Sequence, residues 1–200
     1  MKCYTVGHST YEIDEFVKLI ASRNINCIVD VRSQPYSKFV PQYNREMLKA
    51  ELLKHGIKYI FMGNLLGARW TNEHLLMDSG IVDFEKVIET RDFKYGIFRV
   101  LDGIKKGYII AIMCSEKEPS ECHRFSLVAR ALRHQEIDVH HILSNGSTIS
   151  DADLMSNLIE KSSYQIGQID LFGNSNSVTD ITLSIYRDLN LEIGYKEDES

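Results

Sequence analysis

The chain of 200 residues is 44% hydrophobic and 26% charged, which supports one soluble domain with its own core and excludes a stapled mini-protein or a collagen-like chain. No window approaches 18 uninterrupted apolar residues, and Met1–His8 carries neither a basic leader nor a small-residue cleavage site, so no membrane partner is expected and a cytoplasmic protein is. The net charge of -5 is uneven: residues 1–150 hold 20 Lys and Arg against 18 Asp and Glu, and residues 151–200 hold 3 against 10, which disfavours tight non-specific DNA binding through a broad basic face.

Cys3–Val6 reads as a strand, and Gly7–Thr10 as its exit loop. Ser9, with Glu12 three residues on, forms a capping box for a helix whose buried face is Ile13, Phe16, Val17 and Ile20. Cys27–Val31 is a second strand, apolar up to Asp30 as a sheet covered on both faces requires, and Arg32 follows it. Asn44 caps a helix over Arg45–His55 that Gly56 ends, and Ile57–Met62 is the third strand. A loop-rich stretch, Gly63–Gly80, holds Trp70. Helical periodicity returns at Ile81, Phe84, Val87 and Ile88, and again at Phe98, Leu101 and Ile104. Tyr108–Met113 is the fourth strand; it leads through Cys114–Ser120 into a helix capped by Ser120 and carrying Phe125, Leu127, Val128, Ala131 and Leu132. Val139–Leu143 is the fifth. This alternation predicts an α/β fold: an open, mostly parallel five-stranded sheet with helices on both faces. Beyond Asn145-Gly146-Ser147 the pattern breaks. A short helix over Asp153–Lys161 and linker chemistry at Gly173–Ser177 put a boundary near Ser150, between an α/β domain (1–150) and an acidic, partly flexible tail (151–200).

Ligands of open parallel sheets bind beyond the carboxyl ends of the strands, where helix amino termini converge. This chain delivers Gly7, His8 and Ser9 there from the first strand, and Asp30, Arg32 and Ser33 from the second. Cys114, Ser115, Glu116 and Lys117 come from the fourth, and Cys122, His123 and Arg124 open the next helix. In the functional reading, Glu116 or Asp30 is a general acid/base, and His123 or His8 a proton shuttle. Arg32, Lys117 and Arg124 clamp an anion, with Ser9 and Cys122 also contacting substrate. The bland reading makes Asp30–Arg32 and Glu116–Arg124 structural ion pairs that close loops.

Four cysteines are too sparse for a disulfide framework, so reduced thiols are expected. Cys3 and Cys27, inside strands, read as core. Cys122, at a helix start beside His123 and Arg124, has a setting that lowers a thiol pKa. Neither Cys114 nor Cys122 has the arginine six residues on that a phosphatase loop needs. Zinc held by Cys114, Cys122, His123 and His8 is compatible with the ligand types, yet Cys-x7-Cys-His is not a recurrent zinc spacing, and a buried or hydrogen-bonded thiol is the preferred reading. Adjacent strand residues His140 and His141 point to opposite faces, so they do not share a metal. Trp70 stacks on a base or anchors its loop.

Gly7-His8-Ser9-Thr10, Asp30-Val31-Arg32-Ser33 with Pro35, Gly56-Ile57-x-Tyr59, Leu66-Gly67, and Cys114-x-Glu116-Lys117 followed by Cys122-His123-Arg124 resemble the bacterial and archaeal "domain of unknown function 488" family over residues 3–143. The resemblance implies an α/β domain without a settled activity, some of whose members carry names linking them to DNA repair. Leu66-Gly67-Ala68-Arg69 departs from the double-glycine form of that family.

In the tail, Gln168-Ile169-Asp170-Leu171-Phe172 resembles the peptide with which bacterial polymerases and repair proteins dock on the sliding clamp, isoleucine for leucine being the one departure. Such a peptide sets its Leu-Phe pair in an apolar pocket and its Gln at the rim. The expected function is therefore a hydrolase of nucleic-acid maintenance, tethered to the clamp and acting on a phosphoester or glycosidic bond of a nucleotide or nucleic acid. A non-catalytic module binding an anionic ligand or nucleic acid is the alternative. No cofactor is expected, although phosphoester cleavage would call for a divalent metal.

Overall fold

The computed structural model describes residues 1–162 and 177–196. Its strands are β1 (Lys2–Gly7), β2 (Cys27–Asp30), β3 (Lys58–Phe61), β4 (Ile110–Cys114), β5 (Asp138–Ile142) and β6 (Thr148–Ser150), in the order β3-β2-β4-β1-β5-β6. Neighbours pair in parallel from β3 to β5, and β6 is antiparallel to β5. The fold is thus α/β with one open, mostly parallel sheet, of six strands rather than the five expected.

The period of two along β2 and β4 divides the core. Ile28, Ala111 and Met113 face helices α1 (Ile13–Ala21) and α2 (Arg45–Lys54), meeting Phe16, Ile20, Leu48 and Leu52. Cys27, Val29, Ile110 and Ile112 face the other side, meeting Phe84, Val87, Phe93 and Ile97 from α4 (Phe84–Glu89) and α5 (Arg91–Lys105). Each buried Val, Leu, Ile, Phe or Met among these contributes about 1.5–3 kcal/mol, which is what fixes the register.

Local signals were overridden in several places. Glu12, not Ser9, is the N-cap residue of α1, and Ser9 sits in the left-handed region at φ 45°. Asn44 precedes α2 as expected, but its side chain accepts from the Ser37 amide instead of capping; Gly56, at φ 70°, ends that helix. The Gly63–Gly80 stretch begins with a single turn, α3 (Gly63–Leu66), and Trp70 anchors it by donating Nε1–H to the Gly67 carbonyl at 2.9 Å while packing on the core. Ser120 caps nothing. The helix after β4 opens as a π-helical stretch, Arg124–Ala129, all six residues buried, and continues as α6 (Arg130–Arg133).

Past Ser150 the described chain is built onto the body. Ser150 caps α7 (Asp151–Lys161), and a capping box between Ser177 and Asp180 starts α8 (Val178–Ile193). Met155, Ile181, Ile185 and Tyr186 form a third core around Phe125. Buried Asn190 donates to the Val82 carbonyl and accepts from the Phe84 amide, each at 2.8 Å, fixing the end of α8 beside α4. The clamp-like peptide Gln168–Phe172 lies outside the described residues. No helix among those described is long and apolar enough to cross a membrane.

Candidate functional site

The chain leaves β2 toward the edge strand β3 and leaves β4 in the opposite direction, across β1 to β5. Their exit loops therefore diverge, and a crevice of about 420 Å3 opens at this switch point. Arg32 and Ser33 line it from the β2 exit, Cys114–Glu116 from the β4 exit, and Glu121–His123 from the following turn. Ala68, Arg69 and the segment Glu192–Lys196 form the opposite wall.

The strand-end groups expected to act together divide into two sets. The first is a buried brace. Arg32 donates Nε–H to Asp30 Oδ1 at 2.9 Å and Nη2–H to Oδ2 at 2.6 Å, and the Tyr59 hydroxyl donates to Oδ2 at 2.6 Å. Nη2 also donates to the Tyr43 carbonyl at 2.8 Å, and Nη1 donates to His8 Nε2 at 3.0 Å. With Nε2 accepting, His8 carries its proton on Nδ1 and gives it to the Ser9 carbonyl at 2.9 Å, its ring stacked on Tyr43 at 4.0 Å. Burial and the Arg32 charge push the His8 pKa down to about 4. Asp30 is thus held as the counter-ion of Arg32, His8 sits as a neutral ring between Arg32 and the Ser9 carbonyl, and Arg32 meets the crevice with a guanidinium already engaged. The bland reading of the Asp30–Arg32 pair is the one the geometry supports.

Arg124 is also a strut. Wholly buried, it donates Nη1–H to the Glu116 carbonyl at 2.6 Å and Nη2–H to the Lys117 carbonyl at 2.9 Å. It holds the backbone of the β4 exit loop and makes neither the expected anion clamp nor an ion pair with the Glu116 carboxylate. Gly7 presses on the same loop: a Cβ there would lie 1.8 Å from the Glu116 carbonyl oxygen, so β1 and the loop touch only because residue 7 has no side chain. Ser9 and Lys117, expected to contact substrate, lie outside the crevice wall.

The second set is the crevice floor. Cys114 ends β4 with its side chain on the α4–α5 face, and the turn before the π-helical stretch brings Cys122 and His123 back against it. The three are 4%, 1% and 8% exposed. His123 Nδ1 lies 3.8 Å from Cys114 Sγ and 3.8 Å from Cys122 Sγ, while its Nε2–H donates to the Val31 carbonyl at 3.1 Å. A hydrogen bond from Cys122 holds the Cys114 thiol well below its ordinary pKa, aided by the His123 and Arg124 charges. Burial and the Cys114 sulfur push Cys122 up. Burial works against protonation of His123, but the Cys114 charge and the hydrogen bonds to Cys114 and to the Val31 carbonyl together outweigh it, so that imidazole is held above its usual value. His8, engaged by Arg32, stands apart from this group.

Around the rim, the exposed Glu116 carboxylate accepts from the Ser115 hydroxyl at 3.2 Å. Arg69 lies over the Tyr195 ring at 4.6 Å. Among the described residues Glu116, Glu121, Arg69 and Lys196 form no ion pair. Arg69, Glu121, Tyr195 and Lys196 are not among the site residues expected from the sequence: Arg69 sits in a loop without periodicity, Glu121 at an expected helix start, and Tyr195 and Lys196 follow α8 in the acidic segment. The remaining histidine pair behaves as strand geometry requires. His141 is buried between Thr5 Oγ1 at 2.8 Å and Asp151 at 3.2 Å, and His140 pairs with Asp138 at 2.8 Å.

Fold and crevice together define a parallel-sheet α/β domain with a polar strand-end site floored by two cysteines and a histidine. The chain belongs to the family described as domain of unknown function DUF488, whose model matches residues 12–132. That span contains the Cys114–Cys122–His123 floor, while β1, α7, α8 and the Tyr195–Lys196 part of the wall lie outside it. No curated protein and no solved structure matches the chain.

Proposed function

We propose that the crevice is the active site of a hydrolase of nucleic-acid maintenance, which grips a nucleotide or nucleic-acid end by its phosphate and cleaves a phosphoester or glycosidic bond. What carries this reading is the presence, in one crevice, of Glu116, Arg69 and Lys196, which form no ion pair among the described residues. Arg69 and Lys196 supply charge-assisted bonds to phosphate oxygens. Glu116, exposed at the rim, serves as the acid/base at the reacting bond. The peptide Gln168–Phe172, if it docks on a sliding clamp, would bring this activity to replicating DNA.

The test is turnover of nucleotides, nucleosides and end-labelled DNA and RNA oligonucleotides by the full chain. Glu116→Gln should lower kcat by roughly 10²–10⁴-fold without moving the melting temperature, and Arg69→Ala should raise KM. Binding without turnover by the unaltered chain would leave the anionic-ligand module as the function. Separately, Phe172→Ala should abolish binding to a bacterial sliding clamp; unchanged affinity would end the tether.

A further inference from the structure

We infer that Cys114, Cys122 and His123 form a zinc site with its fourth coordination position open to the crevice. The three ligand atoms all lie within 4.8 Å of one another. Zinc–sulfur bonds of about 2.3 Å and zinc–nitrogen bonds of about 2.0–2.1 Å, at a tetrahedral angle, set sulfur and nitrogen roughly 3.6 Å apart. His123 Nδ1 stands 3.8 Å from both sulfurs. Near-tetrahedral separations from one ring nitrogen to two sulfurs are what a shared central ion would set.

A second observation comes from the far side of the ring. Nε2–H is given to the Val31 carbonyl at 3.1 Å, which turns Nδ1 toward the sulfurs, where an incoming metal ion would displace its proton. A backbone carbonyl fixing the outer nitrogen is how metal-bound imidazoles are oriented and made more basic. The Arg124 amide donates to Cys122 Sγ at 3.5 Å and steadies the second sulfur in the same way. Two sulfurs and an imidazole select zinc over magnesium or calcium, which take oxygen ligands. Three protein ligands with the fourth position facing an open crevice are the arrangement of catalytic rather than structural zinc.

The spacing differs from knuckle and finger sites because the ligands are gathered by a strand end and a helix entry. Cys114 is set by the sheet register, and Cys122-His123 returns to it because Arg124 pins the intervening loop by its carbonyls. The existence of the site does not depend on the substrate proposed above; its catalytic role does. There, zinc would polarise a bound water beside Glu116.

The test uses the full chain. Metal analysis should give one zinc per chain, and cobalt added to the metal-stripped protein should give a sulfur-to-cobalt charge-transfer band with ligand-field bands of tetrahedral intensity. Cys114→Ser, Cys122→Ser and His123→Ala should each weaken cobalt binding by more than the roughly 10–100-fold that loss of an outer partner costs, whereas His140→Ala should not. The unaltered chain keeps the test decisive even where a variant fails to fold: a chain that binds neither zinc nor cobalt, or that carries a Cys114–Cys122 disulfide under reducing-cell conditions, overturns the inference. Cobalt bands that survive Cys114→Ser unchanged overturn it as well. Stoichiometric metal without hydrolysis would uphold the site and sink the hydrolase reading; hydrolysis dependent on Glu116 without metal would do the reverse.

Discussion

Arg32 grips Asp30 through two parallel bonds, Nε to Oδ1 at 2.9 Å and Nη2 to Oδ2 at 2.6 Å, with both side chains withdrawn from solvent at the mouth of β2. Removing either partner strands a buried charge. Arg32→Ala and Asp30→Ala should each cost about 3–5 kcal/mol, because truncating one member of a buried pair leaves the other uncompensated. Denaturant titration of the two single variants and the double variant checks this, and the double should cost clearly less than the sum of the singles.

His8 makes folding pH-dependent in a defined direction. Its pKa falls from 6.5 to about 4 on folding, so below pH 6.5 the unfolded chain binds a proton that the folded chain refuses. The contribution of neutral His8 is complete above about pH 6.5 and is lost as the pH falls toward 4, a total of about 3 kcal/mol. His141, lowered first by burial, adds in the same sense. His8→Gln should flatten the fall in urea midpoint between pH 7 and pH 4.5 relative to the unaltered chain; an identical slope would show that another group titrates.

Gly7→Ala should lower stability by about 1–3 kcal/mol, the usual cost of forcing volume into a packed place, because the added carbon meets the Glu116 carbonyl oxygen at 1.8 Å. That oxygen is also the Arg124 acceptor, so the strain falls on the loop that carries Glu116. Thermal melts measure the stability loss, and a simultaneous change in cobalt spectrum would register the shift of Cys114 at the end of the loop.

Asn190→Ala should destabilise by roughly 2–4 kcal/mol, since it orphans the buried Phe84 amide and Val82 carbonyl together. The same residue holds the end of α8 where Glu192–Lys196 form one wall of the crevice. Amide exchange at Val82, which donates to the Tyr195 carbonyl at 3.0 Å, should quicken, and under the proposed function KM should rise while kcat changes little.

The parallel strands and most of the helices packed on them are legible because hydrophobic period reports burial directly, and the central strands β2 and β4 are buried along their whole length. Strand β6 differs from the expectation of a domain edge after Asn145-Gly146, a dipeptide that is also a strong hairpin signal: Thr148–Ser150 carries a single large apolar residue, Ile149, and so shows no alternation. The amphipathic stretch over α8 was hidden in an acidic tail, and its core, Ile181, Ile185 and Tyr186, closes only against Phe125 from a distant turn.

What the sequence determined by itself was the order of elements and the end of the sheet at which polar groups collect, because both follow from local period and from the direction every parallel strand shares. Which of those groups are engaged by structural partners and which face the crevice was decided by tertiary packing alone. Asp30, Arg32, His8 and Arg124 look as reactive on the page as Glu116 and His123. Only the fold sets Tyr59, Tyr43 and the 116–117 carbonyls against the first four, and a polar group whose partners come from 7 to 29 residues away in sequence cannot be told from a free one until the chain has closed on itself.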